Sequence, residues 1–316
     1  MSRIRLAAVS PLLLVALACD KGSSHTATVA ATVSTIDSTS PSLDSSVSAS
    51  SRPLPPVPVS YEDAESAFKK GQYSDAAELF AAYVESKPEN PWGRYMLGLS
   101  AWKAGDLARA EQAFDEALTL DPAHLKSMVN STRVLLERGK NSEALERITG
   151  ALEIAPQSAE ASRLHGRVLA QIGRNEEAIV AYQRAAALDE RDTWAMNNLG
   201  LLYIQLGRYA EALPPLARAT ELNPRSPVFQ NNLGQALERL GYYTEARKAY
   251  QSAVASDSGY VKASTGLARV TGIEQPEGVT APDLKALADE FRATVQQWAF
   301  VARDTVSDLP DSAEVQ

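Results

Sequence analysis

Six glycines, Gly71, Gly105, Gly139, Gly173, Gly207 and Gly241, stand 34 residues apart. Ala76, Ala110, Ala144, Ala178, Ala212 and Ala246 keep the same step, and Pro88, Pro122, Pro156 and Pro224 mark it again. A fixed period of this length dictates a stack of similar units, because one unit cannot hide its apolar face alone and neighbours must bury it. Each period carries apolar residues at helical spacing, a glycine suited to a turn at positive φ and a proline that cannot continue a helix. The expected unit is therefore a pair of amphipathic helices, and the expected fold is all-α.

The order of these residues resembles the tetratricopeptide repeat, whose signature places W-x2-L-G-x2-Y before A-x3-F and a closing P. MNNLGLLYIQLGRYAEALPPLARATELNP supplies Leu199-Gly200, Tyr203, Ala212, Leu216 and Pro224, and YMLGLSAWKAGDLARAEQAFDEALTLDP supplies Leu97-Gly98, Ala110, Phe114, Ala117 and Pro122. The resemblance runs from 57 to 260 without insertion and implies a superhelical solenoid of six helix-turn-helix units, at about 57–90, 91–124, 125–158, 159–192, 193–226 and 227–260. With a capping helix in VKASTGLARVTG, the solenoid is expected over 60–272. Gly98, Gly166, Gly200 and Gly234 are expected where paired helices cross, facing Ala110, Ala178, Ala212 and Ala246 beside bulkier Tyr182, Leu216 and Tyr250. Two departures are visible. Glu190 replaces a period proline, which leaves Asp192 to cap the next helix, and Pro214-Pro215 is expected to bend a helix or delay its start.

By analogy with the family, the first helix of each unit lines a concave side. Its outward stripe reads Trp92, Tyr95, Leu99 and Lys103, then Lys126, Val129, Arg133 and Glu137, then Glu160, Arg163, Arg167 and Gln171. It continues as Trp194, Asn197, Leu201 and Gln205, then Val228, Asn231, Gln235 and Arg239. The stripe predicts a groove with a basic centre and aromatic flanks that takes a protein or peptide partner with an acidic segment or a terminal carboxylate. A solvated face neutralised by Glu137 and Glu160 is the alternative. Asn130, Asn198 and Asn232 occupy equivalent points, yet the clamp with which some family members hold chaperone tails does not align.

Past the array, IEQPEGVT interrupts the chain. In residues 281–305, Leu284, Leu287, Phe291, Val295, Trp298 and Val301 then recur at steps of three and four, which predicts an amphipathic helix. It either folds back on the solenoid as a cap or docks a partner.

At the other end, Arg3 and Arg5 precede the apolar run Leu6 to Ala18, too short for the roughly 20 residues of a membrane span. Residues 1–18 read as a signal peptide, cut between Ala18 and Cys19. Cys19 is the chain's only cysteine, and its placement resembles the lipobox of bacterial lipoproteins, although Ala16 stands where leucine is preferred. The resemblance implies lipidation at Cys19 and a membrane-anchored protein facing the periplasm. Asp20 resembles an inner-membrane retention signal that is not universal, so the choice of membrane stays open. Ordinary cleavage would instead leave a soluble periplasmic protein. Residues 19–59 are rich in Ser, Thr and Ala and end in RPLPPVPV, a linker whose typical span at 40 residues is roughly 35 Å.

A net charge of -8 argues against nucleic acid as a partner. The three histidines, His25, His124 and His165, have no metal-ligand spacing with carboxylates, and no nucleophile elbow or phosphate loop occurs. The expectation is a scaffold without catalysis or cofactor, similar in plan to repeat lipoproteins that assist pilus assembly, outer-membrane assembly or control of cell-wall hydrolases. Its oligomeric state is not legible.

Overall fold

The structure is a computed structural model, and it describes residues 59–307, with side chains as far as Phe300. The signal peptide, Cys19 and nearly all of the linker lie outside the described residues. Six helix pairs follow one another: α1 (Tyr61–Lys69) with α2 (Tyr73–Ser86), α3 (Pro91–Ala104) with α4 (Leu107–Leu120), and α5 (Leu125–Glu137) with α6 (Asn141–Ile154). Then come α7 (Ala159–Gln171) with α8 (Asn175–Leu188), α9 (Thr193–Gln205) with α10 (Tyr209–Leu222), and α11 (Pro227–Arg239) with α12 (Tyr243–Ser256). Helix α13 (Val261–Val270) packs on the last pair, and α14 (Leu284–Ser307) closes the described chain. Among the described residues there is no strand.

Each first helix begins at a side-chain cap. Ser60, Asn90, His124, Ser158, Asp192 and Ser226 each accept a backbone N–H of the first turn. Asp192 therefore does the work expected of it where the proline is missing. Each first helix ends at a glycine with φ between 73° and 88°, and the residue after it donates to the carbonyl five back, as Asp106 does to Ala101 at 2.9 Å. That bond pattern satisfies the last carbonyls and turns the chain into the second helix without loose loop.

Four of the six pairs close tightly on a glycine at their crossing point, whereas Ala64 and Thr132 stand there in the first and third. A methyl group added at Gly98, Gly166 or Gly234 would lie 2.8 Å from the ring of Phe114, Tyr182 or Tyr250, and one at Gly200 would lie 2.4 Å from Leu216. Phe114, Leu216 and Tyr250 are fully buried, and core clusters run along the array through the alanines of the period. First helices of neighbouring pairs touch one another, whereas second helices meet chiefly first helices on either side. The first helices therefore line the inner face and the second helices the outer.

Two expectations about the ends and breaks meet different outcomes. Helix α14 does fold back, and it lies across the outer face on α10 and α8, burying Ala288, Phe291 and Val295. Pro214 and Pro215, by contrast, do not delay their helix: α10 starts at Tyr209, at the same point of the period as Tyr73, Leu107, Asn141, Asn175 and Tyr243. The two missing N–H groups leave the carbonyls of Ala210 and Glu211 without helical donors. Contact with α9 on one flank and α14 on the other holds the helix continuous.

Candidate functional site

The inner face is built from one position in the first turn of each first helix and the positions three, seven and eleven residues later. In the first turn stand Trp92, Lys126, Glu160, Trp194 and Val228. Trp92 and Trp194 therefore occupy the same point of the repeat, three units apart. They are the large aromatics left open on this face, 37% and 49% exposed.

Both rest on other aromatics. Trp92 lies 5.0 Å from the Tyr95 ring and 5.6 Å from His124, and its Nε1 donates to the Tyr61 hydroxyl at 2.8 Å. Lys126 Nζ sits 4.8 Å above the Trp92 ring, a cation held on the π face. Burial pushes the His124 imidazole below its ordinary pKa, and Lys126 adds to the effect against Asp121. Trp194 meets buried Phe229 edge to face at 4.9 Å. Tyr61, His124 and Phe229 are thus part of the site although the outward stripe does not include them. The step of 34 that repeats the cap position at 124 is the available signal for one of them.

The second stripe position corrects the sequence reading. Tyr95, Asn197 and Asn231 are 7%, 1% and 1% exposed, and Val129 is 4% exposed, so they do not face outward. This position meets the first helix of the next unit: Asn130 Nδ2 donates to the Tyr95 hydroxyl at 3.1 Å, and Asn232 Nδ2 donates to Asn197 Oδ1 at 2.9 Å. These amides hold neighbouring units in register, and the open stripe is narrower than expected. Asn231 donates to Asn232 at 3.2 Å, while its own buried Oδ1 has no partner among the described residues.

The basic centre is also smaller than its arginines suggest. Arg133 donates to Asn130 at 2.6 Å and to Glu160 at 2.5 Å, and Arg163 donates to Asp192 at 2.9 Å. Their acidic partners stand at the start of the following first helix, Glu160 in the first turn of α7 and Asp192 at the cap of α9, so both charges are neutralised inside the array. Lys103 lies 5.0 Å from the Trp102 ring. Arg167 is exposed and makes no ion pair among the described residues. With Leu201, Gln171, Asn198 and Gln205 it lines an inner cavity of about 350 Å³. Leu99 is half-buried beside the Trp92 cluster.

Chemically, the face offers two flat apolar anchors, four cations without an ion pair among the described residues (Lys103, Lys126, Arg167 and Arg239) and several amides. Its one histidine serves as a helix cap: His124 Nδ1 accepts the Ser127 N–H at 3.3 Å. Among the described residues no three His, Cys, Asp or Glu side chains gather in a metal-holding group.

Comparison with known proteins agrees with this architecture. Profiles described as tetratricopeptide repeat match residues 61–124, 101–168 and 197–261, and one described as TPR repeat matches 166–207. Over 86 residues the chain is 37% identical to cellulose synthase operon protein C of Pseudomonas fluorescens (strain SBW25), covering 27% of this chain but 7% of that protein. The chain thus spans a small fraction of that relative's length. The solved structure of PilW, titled a widely conserved type IV pilus biogenesis factor, superposes with a TM-score of 0.60 at 17% identity, covering 65% of this chain and 96% of that one. The thermophilic TPR protein TTC0263 of Thermus thermophilus gives a TM-score of 0.50 at 19% identity, covering 57% and 98%. These two structures share the fold. Because the profile matches run unbroken from 61 to 261, well over half of its length, the protein belongs to the tetratricopeptide repeat family.

Proposed function

We propose that this chain is a non-catalytic adaptor of the bacterial cell envelope, anchored by lipid at Cys19, that holds an extended segment of a partner protein along its inner face. The observation that carries the reading is the pair Trp92 and Trp194: two exposed tryptophans at one repeat position, each seated on aromatics. Exposed aromatics on a rigid base are favoured binding anchors. Three units at about 9 Å per packed helix place them roughly 27 Å apart, the reach of an extended peptide of about eight residues. Lys126 beside the first anchor and Arg167 between the two favour an acidic residue within that segment. Arg133 and Arg163, already paired, add little.

Anchoring rests on the sequence alone: a basic head, an apolar run and a single cysteine at the cleavage point. A photoreactive residue at position 167 in intact cells is expected to capture one partner, and Trp92→Ala with Trp194→Ala is expected to reduce the adduct at least tenfold. An adduct indifferent to both changes would remove the inner face from the function. Fatty-acid labelling of the chain should vanish in Cys19→Ser; an unlabelled wild type would mean ordinary cleavage and a soluble periplasmic protein.

A further inference from the structure

Helix α14 has a seat on the outer face, and the array contains a second copy of that seat that no described helix occupies. In the occupied seat, Phe291, Thr294 and Trp298 of α14 face Leu199, Tyr203, Glu211, Pro214 and Pro215. Counting back one period of 34 gives His165, Leu169, Glu177, Val180 and Ala181. All five line an open groove of about 360 Å³ between α6 and α8, together with Leu152 from α6.

The outermost position shows why this groove differs from the others. Along the six units it reads Glu78, Gln112, Glu146, Val180, Pro214 and Lys248. Only the fourth and fifth units are apolar there. Pro214 borders the seat of α14, whereas Val180 is bare at 63% exposure. The corresponding groove one unit earlier carries Glu146 and Arg147 instead. In the floor of the open groove, Ser162 is 1% exposed and its hydroxyl has no hydrogen-bond partner among the described residues.

We infer that the groove between α6 and α8 docks an amphipathic helix of a partner protein, one with apolar residues at the spacing of Phe291, Val295 and Trp298. The argument for a helix is that the same surface, one period further on, already holds one. Helix α8 belongs to both seats, with Gln183 bordering the first and Val180 and Ala181 the second. Among the described residues α14 alone lies across the outer face, and it is committed to α10 and α8, which leaves the groove between α6 and α8 open to another polypeptide. The site lies on the face opposite Trp92 and Trp194, and it is independent of the peptide groove.

A labelled peptide of residues 282–305 serves as the probe, titrated against the full chain with its own α14 in place. Saturable one-to-one binding is expected, at least tenfold weaker in Val180→Glu and unchanged in Trp194→Ala. Val180→Glu should fold normally, since Glu78 and Glu146 hold this position elsewhere; an unchanged circular dichroism spectrum checks it. The peptide carrying Phe291→Asp and Trp298→Asp should not bind. No binding by the native peptide, or binding indifferent to Val180→Glu, would overturn the inference, the second because the peptide would then be exchanging with α14 or using the inner face.

Discussion

Alanine in place of Gly200 puts a methyl carbon 2.4 Å from Leu216 Cγ and 2.8 Å from its Cδ2. Leu216 is fully buried among core neighbours and has nowhere to retreat. Two effects oppose each other. Alanine in a helix interior is favoured over glycine by about 1 kcal/mol. Forcing a methyl into a closed core costs about 1–3 kcal/mol, and a contact this short belongs at the upper end. The net expectation is a loss of about 2 kcal/mol. Gly150 in α6 is the matched control, because a methyl there meets only the flexible end of Met128 at 4.0 Å. Its replacement by alanine should stabilise by about 0.5–1 kcal/mol. Since repeat arrays need not unfold in one step, native-state hydrogen exchange is the assay. Amides of α9 and α10 should exchange about 30-fold faster in Gly200→Ala, taking about 1.4 kcal/mol per factor of ten. Those of α6 should slow in Gly150→Ala. A neutral or stabilising Gly200→Ala would refute close helix crossing as the reason for the small residue.

Phe291→Ala removes a ring that is 5% exposed and packed edge to face on Trp298 at 5.8 Å, which should cost about 3 kcal/mol. The loss should fall on α14 alone, read as fast amide exchange in residues 284–300 with α1–α13 still protected; loss of protection throughout would make α14 integral to the array. Burial holds the imidazoles of both His124 and His165 below their ordinary pKa. Between the depressed folded values and about 6.5 the unfolded chain binds more protons, so stability should rise with pH across that window and fall as acid is added. The slope of Tm between pH 5 and 7 should shrink in His124→Asn with His165→Gln, where asparagine retains the helix cap.

The period, the turn glycines, the Asp192 cap and the close crossings are legible in the sequence because each is tied to the fixed step of the repeat. Contacts between units are not. A helical stripe marks residues sharing a face, but that face is divided between solvent and the next first helix, so Tyr95, Asn197 and Asn231 read as open although they are enclosed. Arg133 and Arg163 read as free cations because their partners, Glu160 and Asp192, stand 27 and 29 residues on. Pro214-Pro215 misleads differently. Local propensity forbids the helix, and contacts from α9 and α14 override it. The apolar face of α14 announces that something must cover it without saying where.

A periodic scaffold separates support from specificity in a way that an irregular fold does not. A residue required for stacking is required in every unit, so its position stays constant, as at the turn glycines and the alanines of the period. A side chain that serves a partner is needed once or twice and can depart from its equivalents without disturbing the stack. The first-turn inner position changes from Trp92 through Lys126 and Glu160 to Trp194 and Val228, and the outermost position from Glu146 to Val180 and Pro214. Departures that are also enclosed, such as the pairing of Arg163 with Asp192 where the proline is absent, repair the stack. Val180 stays exposed with no such role, while Trp92 and Trp194 each rest one edge on neighbouring units and leave the other open. Exchanging Trp194 for the lysine of its equivalent, Lys126, should therefore raise hydrogen exchange only in α9 and α11, where the contact with Phe229 is lost, while weakening capture at the inner face. A global loss of protection would place Trp194 in the stack and remove one of the two anchors.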